Sequence, residues 1–178
     1  GIGYNTGIIA RTTDGGNTWQ HQIMPEELRS ISFTDEQTGY AAGYGIIYKT
    51  NDGGDTWLPL PATGDFFMDI HFVTPEVGYI VGNQGIISTT NDAGNSWQTL
   101  VSVKTFAPKR PQFESICFLT PQIGYAAANK RLWLTTNGGQ EWQRTNELIN
   151  GKFYDVFATE KAVFAAGQNG QLIKIDLD

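Results

Sequence analysis

Two aspartates stand in matched surroundings, Asp69 before Ile70 and Asp155 before Val156. Carboxyl groups facing one another across a cleft can hydrolyse a glycosidic bond, one as general acid and the other as base or nucleophile. The blander reading, which we favour, is that both begin strands and hydrogen bond to solvent in a channel. A second set consists of Asp14, Asp52 and Asp92, with Asn137 in the same context. Each precedes a glycine by two residues (Gly16, Gly54, Gly94, Gly139) and a tryptophan by five (Trp19, Trp57, Trp97, Trp142). Calcium needs several converging oxygens, and carboxylates in separate repeats are too far apart to share one ion. Such a residue instead accepts hydrogen bonds from nearby amides in a tight turn, the glycine supplies positive φ, and the indole packs between sheets. His21 and His71 lack ligand spacing. The single Cys117 lies between Ile116 and Phe118 as a small apolar side chain. With no nucleophile elbow, phosphate loop or dinucleotide fingerprint either, we expect no catalytic residue, metal or cofactor.

The elements that position these residues repeat. The phrase from Thr12 to Trp19 returns at Thr50–Trp57, Thr90–Trp97 and Thr135–Trp142, its tryptophans 38, 40 and 45 residues apart. A second phrase precedes the last three copies: Phe33 with Gly39-Tyr40, Phe72 with Gly78-Tyr79, and Phe118 with Gly124-Tyr125. In each the aromatics are seven residues apart, and Phe157 and Phe164 repeat that spacing. Each unit reads as four short strands separated by turn residues, and no stretch has helical periodicity. A period near 40 residues with four strands predicts an all-β fold, a β-propeller. Residues 28–60, 66–100 and 113–145 make whole blades, while 1–23 and 151–178 make partial ones. Either a small ring of four or five blades or an arc of a larger one fits this pattern; Gly1 falls inside a repeat, which favours the arc. Aligning the first strands puts Ser30, Asp69, Ser115 and Asp155 at one polar position.

The composition agrees. The chain has 178 residues, 40% of them hydrophobic and 17% charged, so one domain with a real core is expected and disorder is not. Eighteen acids against 12 bases oppose nucleic acid as a partner. No apolar run is long enough to span a membrane, and no signal peptide is recognisable.

The pattern Thr-x-Asp-x-Gly-x-Thr/Ser-Trp resembles the Asp-box, or bacterial neuraminidase repeat, which several glycosidases and receptors also carry. The longer phrase, Phe-x6-Tyr with Gly before the Tyr, then Gly-x-Ile-Ile-x-x-Thr-x-Asp-Gly-Gly-x-Thr-Trp, is similar to the repeat of the photosystem II assembly and stability factor family. That resemblance implies a non-enzymatic, extracytoplasmic propeller, usually seven-bladed, that binds another protein. A sialidase is disfavoured: its chemistry needs an arginine triad, and Arg11, Arg29, Arg110, Arg131 and Arg144 include no Arg-Ile-Pro sequence.

In a propeller, the loops entering strand one and those joining strands two and three share one face, opposite the Asp-box turns. The long connection 101–112 carries Lys104, Lys109 and Arg110, and the strand two to three loop of the blade it enters carries Lys130 and Arg131. Residues 104–131 have net charge +4 and the rest of the chain -10. This basic patch is the expected contact for an acidic protein partner. The alternative is a carbohydrate-active or carbohydrate-binding propeller that takes a glycan on Tyr44, Phe66 or Tyr154 with Asp69 and Asp155. A structural spacer within a larger surface protein is a third reading.

Overall fold

A computed structural model describes residues 6–61, 66–100, 111–148 and 151–177. β1 (Gly7–Arg11) and β2 (Gln20–Met24) form a two-stranded sheet. β3 (Leu28–Phe33), β4 (Gly39–Gly43), β5 (Ile47–Thr50) and β6 (Leu58–Leu60) form the first four-stranded blade. The next two blades are β7 (Phe67–Phe72), β8 (Gly78–Gly82), β9 (Ile87–Thr90) and β10 (Gln98–Thr99), then β11 (Phe113–Phe118), β12 (Gly124–Ala128), β13 (Arg131–Thr135) and β14 (Gln143–Leu148). The last sheet has three strands: β15 (Phe153–Ala158), β16 (Ala162–Gly167) and β17 (Leu172–Asp176). Every strand pairs antiparallel with its sequence neighbour, the all-β propeller arrangement expected from the repeats.

β3, β7, β11 and β15 are the inner strands, each packed against the next. The core lies between blades rather than within one. Tyr40, Ala42 and Ile47 of one blade meet Phe67, Ile70, Phe72 and Ile80 of the next, and Tyr79, Val81 and Ile87 meet Phe113, Ile116, Phe118 and Ala126 in the same way. Coverage by a preceding inner strand decides burial at equivalent positions. Ile70 is 2% exposed, whereas Ile31, at the same place in the first four-stranded blade, is 52% exposed. Full burial of such a side chain stabilises by about 1.5–3 kcal/mol.

Aromatic residues link the blades. Tyr79 stacks on Phe118 with centroids 3.5 Å apart, and Phe118 meets the edge of Trp142 at 6.1 Å. The ring of Phe118 lies directly over Gly124, where a Cβ would fall 2.6 Å from it, so the residue before the tyrosine must be glycine.

The last blade departs from this scheme. Strand pairing sets Phe33 opposite Gly39 and Phe118 opposite Gly124, but sets Ala158 opposite Val163 and Phe157 opposite Phe164. Phe157 therefore occupies the position of Ser32, His71 and Cys117, and not the position that its seven-residue spacing from Phe164 suggests. The connection between the paired residues is one residue shorter here, which preserves the spacing while shifting the register.

Candidate functional site

The Asp-box turns lie at one end of the blades. Thr12, Thr50, Thr90 and Thr135 each accept the amide of the glycine four residues on at 2.9 Å. Asp14 Oδ1 accepts the amide of Thr18 at 2.9 Å and its Oδ2 accepts the Thr18 hydroxyl at 2.7 Å; Asp52 and Asp92 repeat both bonds with Thr56 and Ser96. These donors, the hydroxyl first, lower all three carboxyls from 3.8 to about 2. Asn137 keeps the amide bond, from Glu141 at 2.9 Å, but Glu141 has no hydroxyl to donate. Gly16, Gly54, Gly94 and Gly139 have φ between 82° and 93°, and the residue before each is also left-handed, including Ala93 at 56°. The indole N–H of Trp19 and Trp142 donates to the turn glycine at 3.0 and 3.1 Å, while Trp57 and Trp97 find no acceptor among the described residues. The carboxylates are thus engaged by their own turns, and no group of three or more potential metal ligands occurs among the described residues.

Asp69 and Asp155 sit on inner strands, where a free backbone edge must be satisfied without a sheet partner. Each of the four strands carries a bulge immediately before the polar position, at the register shifts Leu28/Ser30, Phe67/Asp69, Phe113/Ser115 and Phe153/Asp155. The side chain after each bulge meets the polar residue of an adjacent inner strand. Ser30 donates to Asp69 Oδ1 at 2.6 Å, and Ser115 Oγ lies 2.8 Å from both Asp69 Oδ2 and Asp155 Oδ1. Asp69 also accepts the amides of Ile70 at 2.9 Å and Ile116 at 2.8 Å, while Asp155 accepts that of Val156 at 2.9 Å. Sequence reasoning aligned these four residues but expected solvent as their partner; the structure joins them into one ladder. Its signal was the alternation of Ser and Asp. The Ser115 side chain fills the space between the two carboxyls, where a glycosidase would hold its sugar. Burial pushes Asp69 upward against the hydrogen bonds that favour its charge.

His71 points from β7 toward β11, with Nε2 3.1 Å from the Phe118 carbonyl oxygen. Burial lowers its pKa, so the neutral ring donates that bond. Cys117 is buried and free, its thiol pushed up by the same cause. His21 is exposed on β2.

The opposite end carries the other loops, held by amides of Tyr44 on Glu27 O at 2.9 Å, Asn83 on Phe66 O at 3.0 Å and Gln168 on Lys152 O at 2.8 Å. Arg29 pairs with Glu27 at 2.7 Å and lies over the Phe66 ring, which Tyr44 meets edge-on at 5.4 Å. Lys152 pairs with the nearly buried Glu114. Lys130 lies in the β12–β13 turn and Arg131 opens β13; in that turn Asn129 adopts a φ of 53° and its carbonyl accepts the Phe153 amide at 2.7 Å. Lys130 is exposed, Arg131 is half-buried, and neither forms an ion pair among the described residues. Lys104, Lys109 and Arg110 lie outside the described residues. Asp35, Glu36, Glu76 and Glu160 lie on the turns at the Asp-box end.

The sequence model of the family described as photosynthesis system II assembly factor YCF48 matches residues 58–148. No curated protein matches the sequence. Among solved structures, YCF48 bound to D1 peptide is 24% identical with a TM-score of 0.67, covering 84% of this chain and 51% of that one. YCF48 from Cyanidioschyzon merolae is 19% identical with a TM-score of 0.67, covering 83% and 52%. The GH74 enzyme of Niastella koreensis is 12% identical with a TM-score of 0.69, covering 84% and 28%. The chain thus spans about half the length of the two YCF48 structures, and these likenesses establish the propeller fold.

Proposed function

Since the chain belongs to the photosynthesis system II assembly factor YCF48 family, we propose that it is a non-enzymatic scaffold whose loop face binds a segment of another protein. The observation that carries the proposal is the pair Lys130 and Arg131, which form no ion pair among the described residues and stand where β12 turns into β13, at the end away from the Asp-box carboxylates. Unpaired bases on a rigid turn attract and orient an acidic segment while losing little side-chain freedom. Lys104, Lys109 and Arg110, in the connection that enters the same blade, extend this surface in the proposal. The related YCF48 complex with D1 peptide makes a peptide segment the natural kind of ligand. The family likeness favours a compartment outside the cytoplasm. Among the described residues no helix is long and apolar enough to cross a membrane.

Chemical cross-linking of the tagged chain in its native extract, followed by mass spectrometry and glycan analysis, tests this. Capture of one discrete protein through Lys104, Lys109 or Lys130 supports the scaffold. Enrichment of a glycan without protein supports instead a carbohydrate-binding face built on the exposed Tyr44 and Tyr154. Capture of neither leaves a structural spacer.

A further inference from the structure

The hydroxyl of Ser115 has one hydrogen but two carboxyl oxygens as neighbours, Asp69 Oδ2 and Asp155 Oδ1, both at 2.8 Å. It can donate to only one of them. At that distance the other contact is a hydrogen bond only if the carboxyl itself carries the hydrogen and donates to Ser115 Oγ. Other donors do not remove the conflict. Asp69 already accepts from Ser30 and from the amides of Ile70 and Ile116, and Asp155 from the amide of Val156. If both carboxyls were ionised, like charges would face each other across a single hydroxyl.

We propose that Asp69 and Asp155 hold one proton between them through Ser115, and that this shared proton makes the joint between β7, β11 and β15 tighter in acid than at neutral pH. Within the trio the proton resides on either carboxyl, with the Ser115 hydrogen turned toward the other. The two carboxyls are therefore coupled through the Ser115 hydroxyl. Loss of the last proton, to solvent at the exposed Asp155 end, leaves one of the two bonds unmade. The groups packed around the site are few. β3 brings Ser30 and β11 brings Ser115 and Cys117; β15 brings Asp155, and β7 itself brings His71. Burial raises the Cys117 thiol and lowers the His71 imidazole, so both shifts favour the uncharged form and oppose a cation beside the two carboxylates. The upward displacement of Asp69 from 3.8 is in the same sense.

The sign follows from linkage. A group protonated more readily in the folded than in the unfolded chain stabilises fully below its unfolded value, and that stability fades as pH rises through the folded one. The window opens above 3.8, the ordinary aspartate value. Infrared titration of the intact chain reads the protonated carboxyl directly. We expect a carbonyl-stretch band equivalent to one carboxyl to persist after the other carboxylates have ionised, and to disappear in D155N. The side-chain amide that D155N introduces donates to Ser115 at every pH, so this variant should also flatten the fall of Tm with rising pH. H71Q should leave the band in place, which separates carboxyl titration from that of the imidazole. Complete loss of the wild-type band together with the bulk carboxyls near pH 3.8, or its persistence in D155N, would overturn the proposal.

Discussion

Tyr40 lies flat on Phe72 of the next blade, ring centroids 3.7 Å apart and planes within 11° of parallel. Phe72 also meets Trp97 edge-on at 6.1 Å, so one phenylalanine ties two blades to an Asp-box tryptophan. Stacked and edge-on geometries add to the area such rings bury. Phe72→Ala should therefore cost about 3–5 kcal/mol in chemical denaturation. Phe33→Ala should cost clearly less, because Phe33 is 44% exposed. Equal losses at the two sites would show that the stack between blades contributes little.

Gly78 presents the converse constraint. A Cβ there would lie 2.7 Å from the Phe72 ring, and adding one should cost about 1–3 kcal/mol. The last blade has both partners changed at once, Ala158 facing Val163. The double variant Phe72→Ala with Gly78→Val should consequently lose less than the sum of its singles, with a coupling of about 1 kcal/mol. Strict additivity would contradict the compensation.

The Asp-box turns set the acid side of the stability profile. Asp14, Asp52 and Asp92 are lowered from 3.8 to about 2, so what they contribute is present above 3.8 and is lost as pH falls toward 2. Asp92→Asn copies Asn137 of the fourth turn and forfeits the bond from the Ser96 hydroxyl. Its Tm should be slightly lower at pH 7, and its decline between pH 4 and pH 2, as a rough window, should be shallower than in the parent. An unchanged slope would mean that the turn does not carry this titration.

Ala93 is the one alanine held left-handed among these turns, at a φ of 56° where the other copies have glycine. A left-handed non-glycine residue costs roughly 1–2 kcal/mol, and glycine returns part of that gain as lost chain entropy. Ala93→Gly should raise stability by up to about 1 kcal/mol in denaturant titration. A loss would show that the Ala93 methyl makes a contact that outweighs the strain.

The sequence made the propeller legible because a recurring Asp, Gly and Trp each have one local task, performed within a single turn. Interactions between blades were harder to read. The tasks of Ser30 and Ser115 depend on Asp69 and Asp155 one blade away, and on a bulge that propensity does not reveal. Counting seven residues from Phe164 to Phe157 misplaced an aromatic because the connection between them is shorter. Thr50, Thr90 and Thr135, buried beneath the Asp-box turns, belonged visibly to the phrase, yet their acceptor role depends on which amide reaches the hydroxyl. That Lys130 lies at the end away from the Asp-box turns followed from topology, since the loop joining the second and third strands of a blade and the entry to its inner strand must emerge together.

The measurement closest to the central claim is the affinity of the cross-linked partner for Lys130→Glu with Arg131→Glu, compared with Lys161→Glu at the Asp-box end. Two charge reversals at a contact surface should weaken binding at least tenfold, about 1.4 kcal/mol or more, and should flatten its dependence on salt. Lys161→Glu should bind as the parent does. Equal affinity in all three proteins would contradict a partner held on the loop face.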